Sequence, residues 1–196
     1  MPERFSSFFS EGSNMLVQDA QREVRTVFIG GFWGQLVSSV IWLVSAALGS
    51  WVTPRAAIIQ IVASGFFIFP AVQLLLRLSG RPTYLTRGNP FGALGMQIAF
   101  TLPPSMLLLV PVTEFRLNLF YPALMILLGA HYLPFTFSYG MRMFIPLSAI
   151  LIFSGVGIAH YFPGSFSAGG WICGLVLFVF AWLGRATVQR EARGQA

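Results

Sequence analysis

The chain has 196 residues, of which 56% are hydrophobic, 15% aromatic and only 9% charged, with a mean hydropathy of +0.74. Soluble domains carry roughly a quarter charged residues, so this composition excludes an ordinary water-facing surface and makes lipid the expected solvent. The net charge of +6 and pI near 10.5 have the size of a nucleic-acid footprint. All twelve basic residues are Arg, however, and they lie in tails and short loops rather than on one soluble face, which argues against nucleic acid as a partner.

In chain order, residues 1–26 read as a cytoplasmic tail. Phe5, Phe8 and Phe9 stand close together, either lying at the headgroup boundary or belonging to an unanchored tail. A polar stretch follows from Gln18 to Arg25. A spanning helix needs about 20 mainly apolar residues. Six such runs can be placed: Val27 to Ser50, Ala56 to Leu76, Phe91 to Val112, Leu117 to Ser138, Met143 to Phe162 and Gly169 to Val188. Runs three and four are parted only by Thr113 to Arg116; one unbroken helix there would hold Glu114 and Arg116 mid-span, so a tight hairpin is expected instead. Ser45-Ala46-Ala47 resembles a signal-peptidase site, but the preceding tail carries four carboxylates and the apolar run exceeds an ordinary signal core, so the first run is read as a retained helix. The expected fold is an all-α bundle of six transmembrane helices: residues 27–188 form the membrane domain, 189–196 a cytoplasmic tail, and no soluble domain is present.

Orientation follows from Arg placement. With six crossings, Arg4, Arg22, Arg25, Arg77, Arg81, Arg87, Arg142, Arg185, Arg190 and Arg193 share one side, leaving Arg55 and Arg116 on the other. This positive-inside bias puts both termini in the cytoplasm, as in a multi-pass protein of a bacterial inner membrane.

Between Val27 and Gly184 the one carboxylate is Glu114, and HExxH, GxSxG and P-loop patterns are absent. Paired-carboxylate chemistry is thereby excluded from the membrane domain, and no enzyme, catalytic residue, cofactor or metal site is expected. A single Cys173 forms neither an intrachain disulfide nor a thiolate cage. His131 and His160 belong to opposite ends of their helices, too far apart for joint ligation, and His160 beside Tyr161 and Phe162 reads as interfacial.

Depth along the helices brings out a polar pattern. At 1.5 Å per residue, Gln35 lies ~12 Å above the inner end of its helix, Gln73 ~5–6 Å, and Gln97 and His131 each ~9–10 Å, with Thr101 one turn beyond Gln97. Such groups are expected to face into the bundle, either as interhelical hydrogen-bonding glue or as the lining of a cytoplasm-facing cavity in which His131 is a proton-sensitive ligand for a small solute. Pro70, Pro103, Pro104, Pro111, Pro122, Pro134 and Pro146 fall within spans; Pro103-Pro104 is the expected break, and Pro134 is placed to bend helix four around the polar layer. Gly30, Gly34 and Ser38 in helix one, and Gly170 and Gly174 in helix six, are spaced for close helix approach. At the outer hairpin, Glu114, Arg116 and Asn118 form a polar cap with a local ion pair, either decorative or a solute gate.

The stretch Gly129-Ala130-His131-Tyr132-Leu133-Pro134-Phe135, with Tyr139 and an Arg-bearing turn beyond it, resembles a motif of a family of bacterial multi-span proteins of unknown function. Gln21-Arg22-Glu23-Val24-Arg25 and the turn Gly88-Asn89-Pro90 are also similar. The resemblance implies a six-span inner-membrane fold and draws attention to His131; it implies no activity. Two functions therefore stand open. One is a carrier or channel-like protein for a small solute, built on the inner polar layer. The other is a non-catalytic membrane subunit or scaffold that packs against partner helices, in a homo-oligomer or with another membrane protein.

Overall fold

The computed structural model describes residues 15–194, so Phe5, Phe8 and Phe9 lie outside the described residues. Among the described residues ten α-helices follow in order: α1 (Val17–Val27), α2 (Phe32–Trp51), α3 (Pro54–Gly65), α4 (Ile68–Leu78), α5 (Pro90–Ser105), α6 (Leu109–Phe115), α7 (Phe120–Tyr132), α8 (Phe135–Tyr139), α9 (Phe144–Tyr161) and α10 (Ala168–Gly194). Short 3-10 turns at Ile29–Gly31, Met106–Leu108 and Leu117–Leu119 join neighbours. Five continuous helical segments are long and apolar enough to cross a membrane: Ile29–Trp51, Pro90–Phe115, Leu117–Tyr139, Phe144–Tyr161 and Ala168–Gly194. The α3–α4 pair, bent by 56°, reaches that length and apolarity only when its two helices are taken together as one broken span. The protein is an all-α membrane bundle.

Local chemistry sets the helix starts. Thr53 accepts the Ala56 N–H at 3.1 Å with Pro54 at the first helical position. Asn89 does the same for the Phe91 N–H at 2.9 Å with Pro90 behind it. Each is a side-chain cap followed by a residue that has no N–H to satisfy. The first span starts later than its apolar run. Val27 closes α1, and Gly30 and Gly31, at φ of 63° and 82°, turn the chain before α2 begins.

The break in the membrane falls in span two rather than at Pro103-Pro104. Pro70 has no N–H for the Phe66 carbonyl and its ring crowds that oxygen, while Gly65 one residue earlier adds no side chain to stiffen the helix. Gly65, Phe66 and Phe67 are the residues of the bend, where Phe67 N–H bonds to Ser64 O in a 3-10 manner. At Pro103-Pro104, by contrast, α5 runs on to Ser105, and the lost donors are absorbed by the 3-10 turn Met106–Leu108 without a sharp bend.

Packing relies on glycine contacts. α2 lies along α10, where Gly170 meets Ala46 and Gly174 meets Leu43. Gly30 and Gly184 touch backbone to backbone: a Cβ on either would come within 2.7 Å of the other's carbonyl oxygen. Gly34 has nothing near its Cβ position, so the expected Gly30–Gly34–Ser38 stripe is not one contact face. α7 and α9 interlock at two levels, Gly129 against Ser148 and Gly155 against Pro122, with Ser148 Oγ donating to Gly129 O at 2.6 Å. A continuous apolar core spreads from Trp42 and Ile61 through Tyr121, Met125, Phe144 and Leu151 to Leu177.

The loop contacts fix which ends share a face. α1 touches the loop after span two and the ends of spans four and six. Glu23 accepts from Thr86 and Asn89, Gln21 Nε2 donates to Phe137 O at 2.6 Å, and Arg25 pairs with Glu191 at 2.8 Å. At the other end, Trp171 Nε1 donates to Ser50 Oγ at 3.1 Å and Asn118 Nδ2 to Pro163 O at 3.0 Å. The bent α3–α4 pair therefore crosses from one face to the other and does not return to its starting side. α1 and the end of α10 lie on the same, Arg-rich face.

Candidate functional site

The five residues of the expected polar layer do not converge on one cavity. Gln35 on α2 is 2% exposed, and neither its amide nitrogen nor its amide oxygen has a hydrogen-bond partner. Its Nε2 lies above Gly31, where a Cβ would come within 3.2 Å of it, beside the Phe144 ring. Gln73 on α4 is half-buried with a shielded, unpaired Oε1. Gln97 and Thr101 lie on the outer, exposed face of α5, opposite to the inward orientation expected of them. The buried side of that helix is formed by Phe91 and Ile98, with Leu94 and Leu102 half-buried beside them, so the rotation of α5 about its own axis turns Gln97 away from the bundle.

The structure does bring Thr101 to His131. Thr101 Oγ1 donates to Ile98 O at 2.7 Å and stands 3.4 Å from His131 Nδ1. Because the hydroxyl proton is already committed to Ile98, this long contact is favourable only with the imidazole proton on Nδ1. The His131 ring is otherwise held edge-on by Tyr132 and Phe135, with centroids 6.0 and 5.4 Å away. It sits half-buried at the seam between α5 and α7. Pro134 follows the end of α7, and α8 carries the span onward. His160 is exposed, its ring edge-on to Tyr161 at 4.7 Å.

At the opposite end, Asn118 ties the α6–α7 turn to Pro163 O, and Glu114 and Arg116 are exposed. The expected ion pair between them is not formed: the one described salt bridge is Arg25–Glu191. Arg116 takes an extended backbone at φ −156°, which ends the helix bearing Glu114.

Three groups escaped the sequence reading. Gln60 on α3 donates to Ser64 Oγ at 3.0 Å and keeps a shielded, unpaired Oε1; it was visible as one more amide in an apolar run. Ser45 donates to Ala57 O at 2.9 Å and so accepts from the buried Tyr121 hydroxyl at 2.6 Å, joining spans one, two and four. That triad joins ordinary span residues and has no local signature. The third group is the α1 clamp. Burial raises the Glu23 carboxyl, but hydrogen bonds from the Thr86 side chain, Asn89 and the Thr86 backbone prevail and hold it below the ordinary carboxylate range. Asn89 also donates to Ala20 O at 3.2 Å, so one side chain caps α5 and docks α1 onto it.

This bundle, from α1 through most of α10, is also the stretch that is shared with other proteins: the model of DUF7010, a family of unknown function, matches residues 17–186. The chain belongs to the DUF7010 family. The match starts at the first residue of α1 and ends within α10. No curated protein and no solved structure matches the chain.

For this DUF7010 chain the arrangement of the described residues is polar in two places. It offers two kinds of polar feature in the membrane: shielded amides inside, at Gln35, Gln60 and Gln73, and an exposed polar edge on α5 running into His131.

Proposed function

We propose that this protein is a non-catalytic membrane subunit of a bacterial inner membrane, with both termini in the cytoplasm, that acts by docking a partner helix against α5. The observation that carries this reading is the exposed line Ala93, Gln97, Thr101 at four-residue spacing on that helix. A carboxamide facing hydrocarbon lacks the hydrogen bonds that water or another protein would give it, and amides in membranes are found against helices rather than against lipid. The interior supports the same reading, because the spans meet closely through glycine contacts, apolar side chains and serine hydrogen bonds satisfied within the chain.

A second reading, a small-solute carrier, is favoured by the bend at Gly65–Phe67 together with the unpaired amide atoms of Gln35, Gln60 and Gln73 on spans one and two. Broken spans with free polar groups nearby are how transporters build sites. The two readings part at Gln35. In a Cys173→Ala background, which removes the sulfur without burying an unpaired hydroxyl, Gln35→Cys is expected to resist a membrane-impermeant maleimide from both sides. Rapid labelling, slowed by one particular solute, would overturn the docking subunit in favour of the carrier.

A further inference from the structure

We infer that the partner docked on α5 is a second copy of this chain, with the two Gln97 carboxamides hydrogen-bonded to each other across a two-fold axis normal to the membrane. The inference rests on the docking reading above and specifies the occupant.

The α5 span is the least embedded of the continuous crossings: 11% of it is buried inside the chain, against 33–44% for the other four. Its exposed side is not uniformly apolar. Ala93, Gln97, Thr101 and Pro104 share one sector, within roughly 80° of arc at 100° per residue. Ala93 allows a second backbone to come close. Thr101 has already spent its proton on Ile98 O. Gln97 is the residue of this sector that brings both a donor and an acceptor to a partner.

Two further facts choose a copy over a foreign helix. The Arg asymmetry inserts every copy in the same orientation, so two α5 helices related by a two-fold axis run parallel and set residue 97 against residue 97 at one depth. A primary carboxamide is complementary to itself, since each oxygen accepts from the other's NH2 and two reciprocal bonds close at once. A lone carboxylate, guanidinium or imidazole at this place would instead require a partner of different chemistry.

The test uses full-length chains carrying two different tags, co-expressed and kept in native membranes, with Ala93→Cys in the Cys173→Ala background. Oxidation is expected to give a disulfide-linked species carrying both tags, while Phe153→Cys on the exposed side of α9 gives none. Adding Gln97→Leu is expected to lower the two-tag yield about tenfold; Gln97 is exposed, so this change leaves the fold intact. A two-tag yield that ignores Gln97→Leu overturns the inference. A benzophenone maleimide on the cysteine at position 93 separates the remaining cases. Adducts to a different protein without any two-tag species overturn the second copy and leave the docking reading standing. Adducts to lipid alone, at 93 as at 153, overturn both.

Discussion

Gly155→Leu is expected to separate α7 from α9 and to cost about 3 kcal/mol or more, enough to remove most of the net stability of an ordinary domain. A Cβ at Gly155 would lie 2.7 Å from Pro122 O and 3.0 Å from Ile126 Cγ1. The first of these is backbone, fixed by its own helix, and cannot step aside. The same pair is pinned two turns away, where Gly129 backs onto Ser148 O and Ser148 Oγ donates to Gly129 O. Spreading the helices at one level therefore strains the hydrogen bond at the other. Gly157→Leu is the matched control: it adds the same side chain to the same helix, where nothing lies within 4 Å of the Cβ position. Thermal unfolding in a mild detergent should place Gly155→Leu well below the parent chain and Gly157→Leu beside it. Equal melting of the two variants would contradict the interlocked packing.

The second large effect is expected at the α1 clamp. Glu23 accepts from Thr86 N–H and Oγ1 and from Asn89 Nδ2, the last two at 2.6 and 2.9 Å. Glu23→Ala leaves all three donors without their acceptor, and hydrogen bonds to a charged group contribute about 1.5–3 kcal/mol each, less where water replaces the partner. A net loss of about 2 kcal/mol in α1 docking predicts roughly 30-fold faster tryptic cleavage at Arg22 and Arg25 in vesicles open on the Arg-rich face. The pH dependence has a definite sign. The carboxyl of Glu23 is held below its ordinary value in the folded chain, so its contribution is fully present at neutral pH and is lost as pH falls through that lowered value. Glu23→Gln removes this dependence and leaves the Arg25–Glu191 pair in place, so the difference between the two proteolysis profiles isolates Glu23.

Much of the architecture was legible because lipid imposes simple arithmetic. Runs of apolar residues ending at Arg77, before Arg142 and beyond Gly184 matched the observed spans to within about three residues, apart from the end of the last, where α10 runs on to Gly194. The tight turn between spans three and four is present at Arg116. What escaped was lateral. Depth is a function of residue number alone, but facing depends on how each helix is rotated, and in lipid both faces of a helix are apolar, so periodicity carries little signal. Phe91, Leu94, Ile98 and Leu102 form a stripe of large side chains that turned out to be the packed side of α5, leaving the smaller Ala93 and Thr101 outside with Gln97. Proline counting failed for a related reason. The oxygens freed by Pro103 and Pro104 belong to Ala99 and Phe100 on the exposed side, and a 3-10 turn takes up the strain, whereas Pro70 acts on a helix already weakened at Gly65.

Six crossings with the ends gathered at one Arg-rich face is the claim on which the docking surface and its two-fold pairing both depend. Single cysteines at Thr53, Arg116, Ser165, Tyr84 and Arg190, in the Cys173→Ala background, measure it directly with an impermeant maleimide applied to intact cells and to inverted vesicles. Positions 53, 116 and 165 should label from the outside, and 84 and 190 from the cytoplasmic side. Labelling of 84 from the same side as 53 would make the bent α3–α4 pair a re-entrant loop and contradict the account.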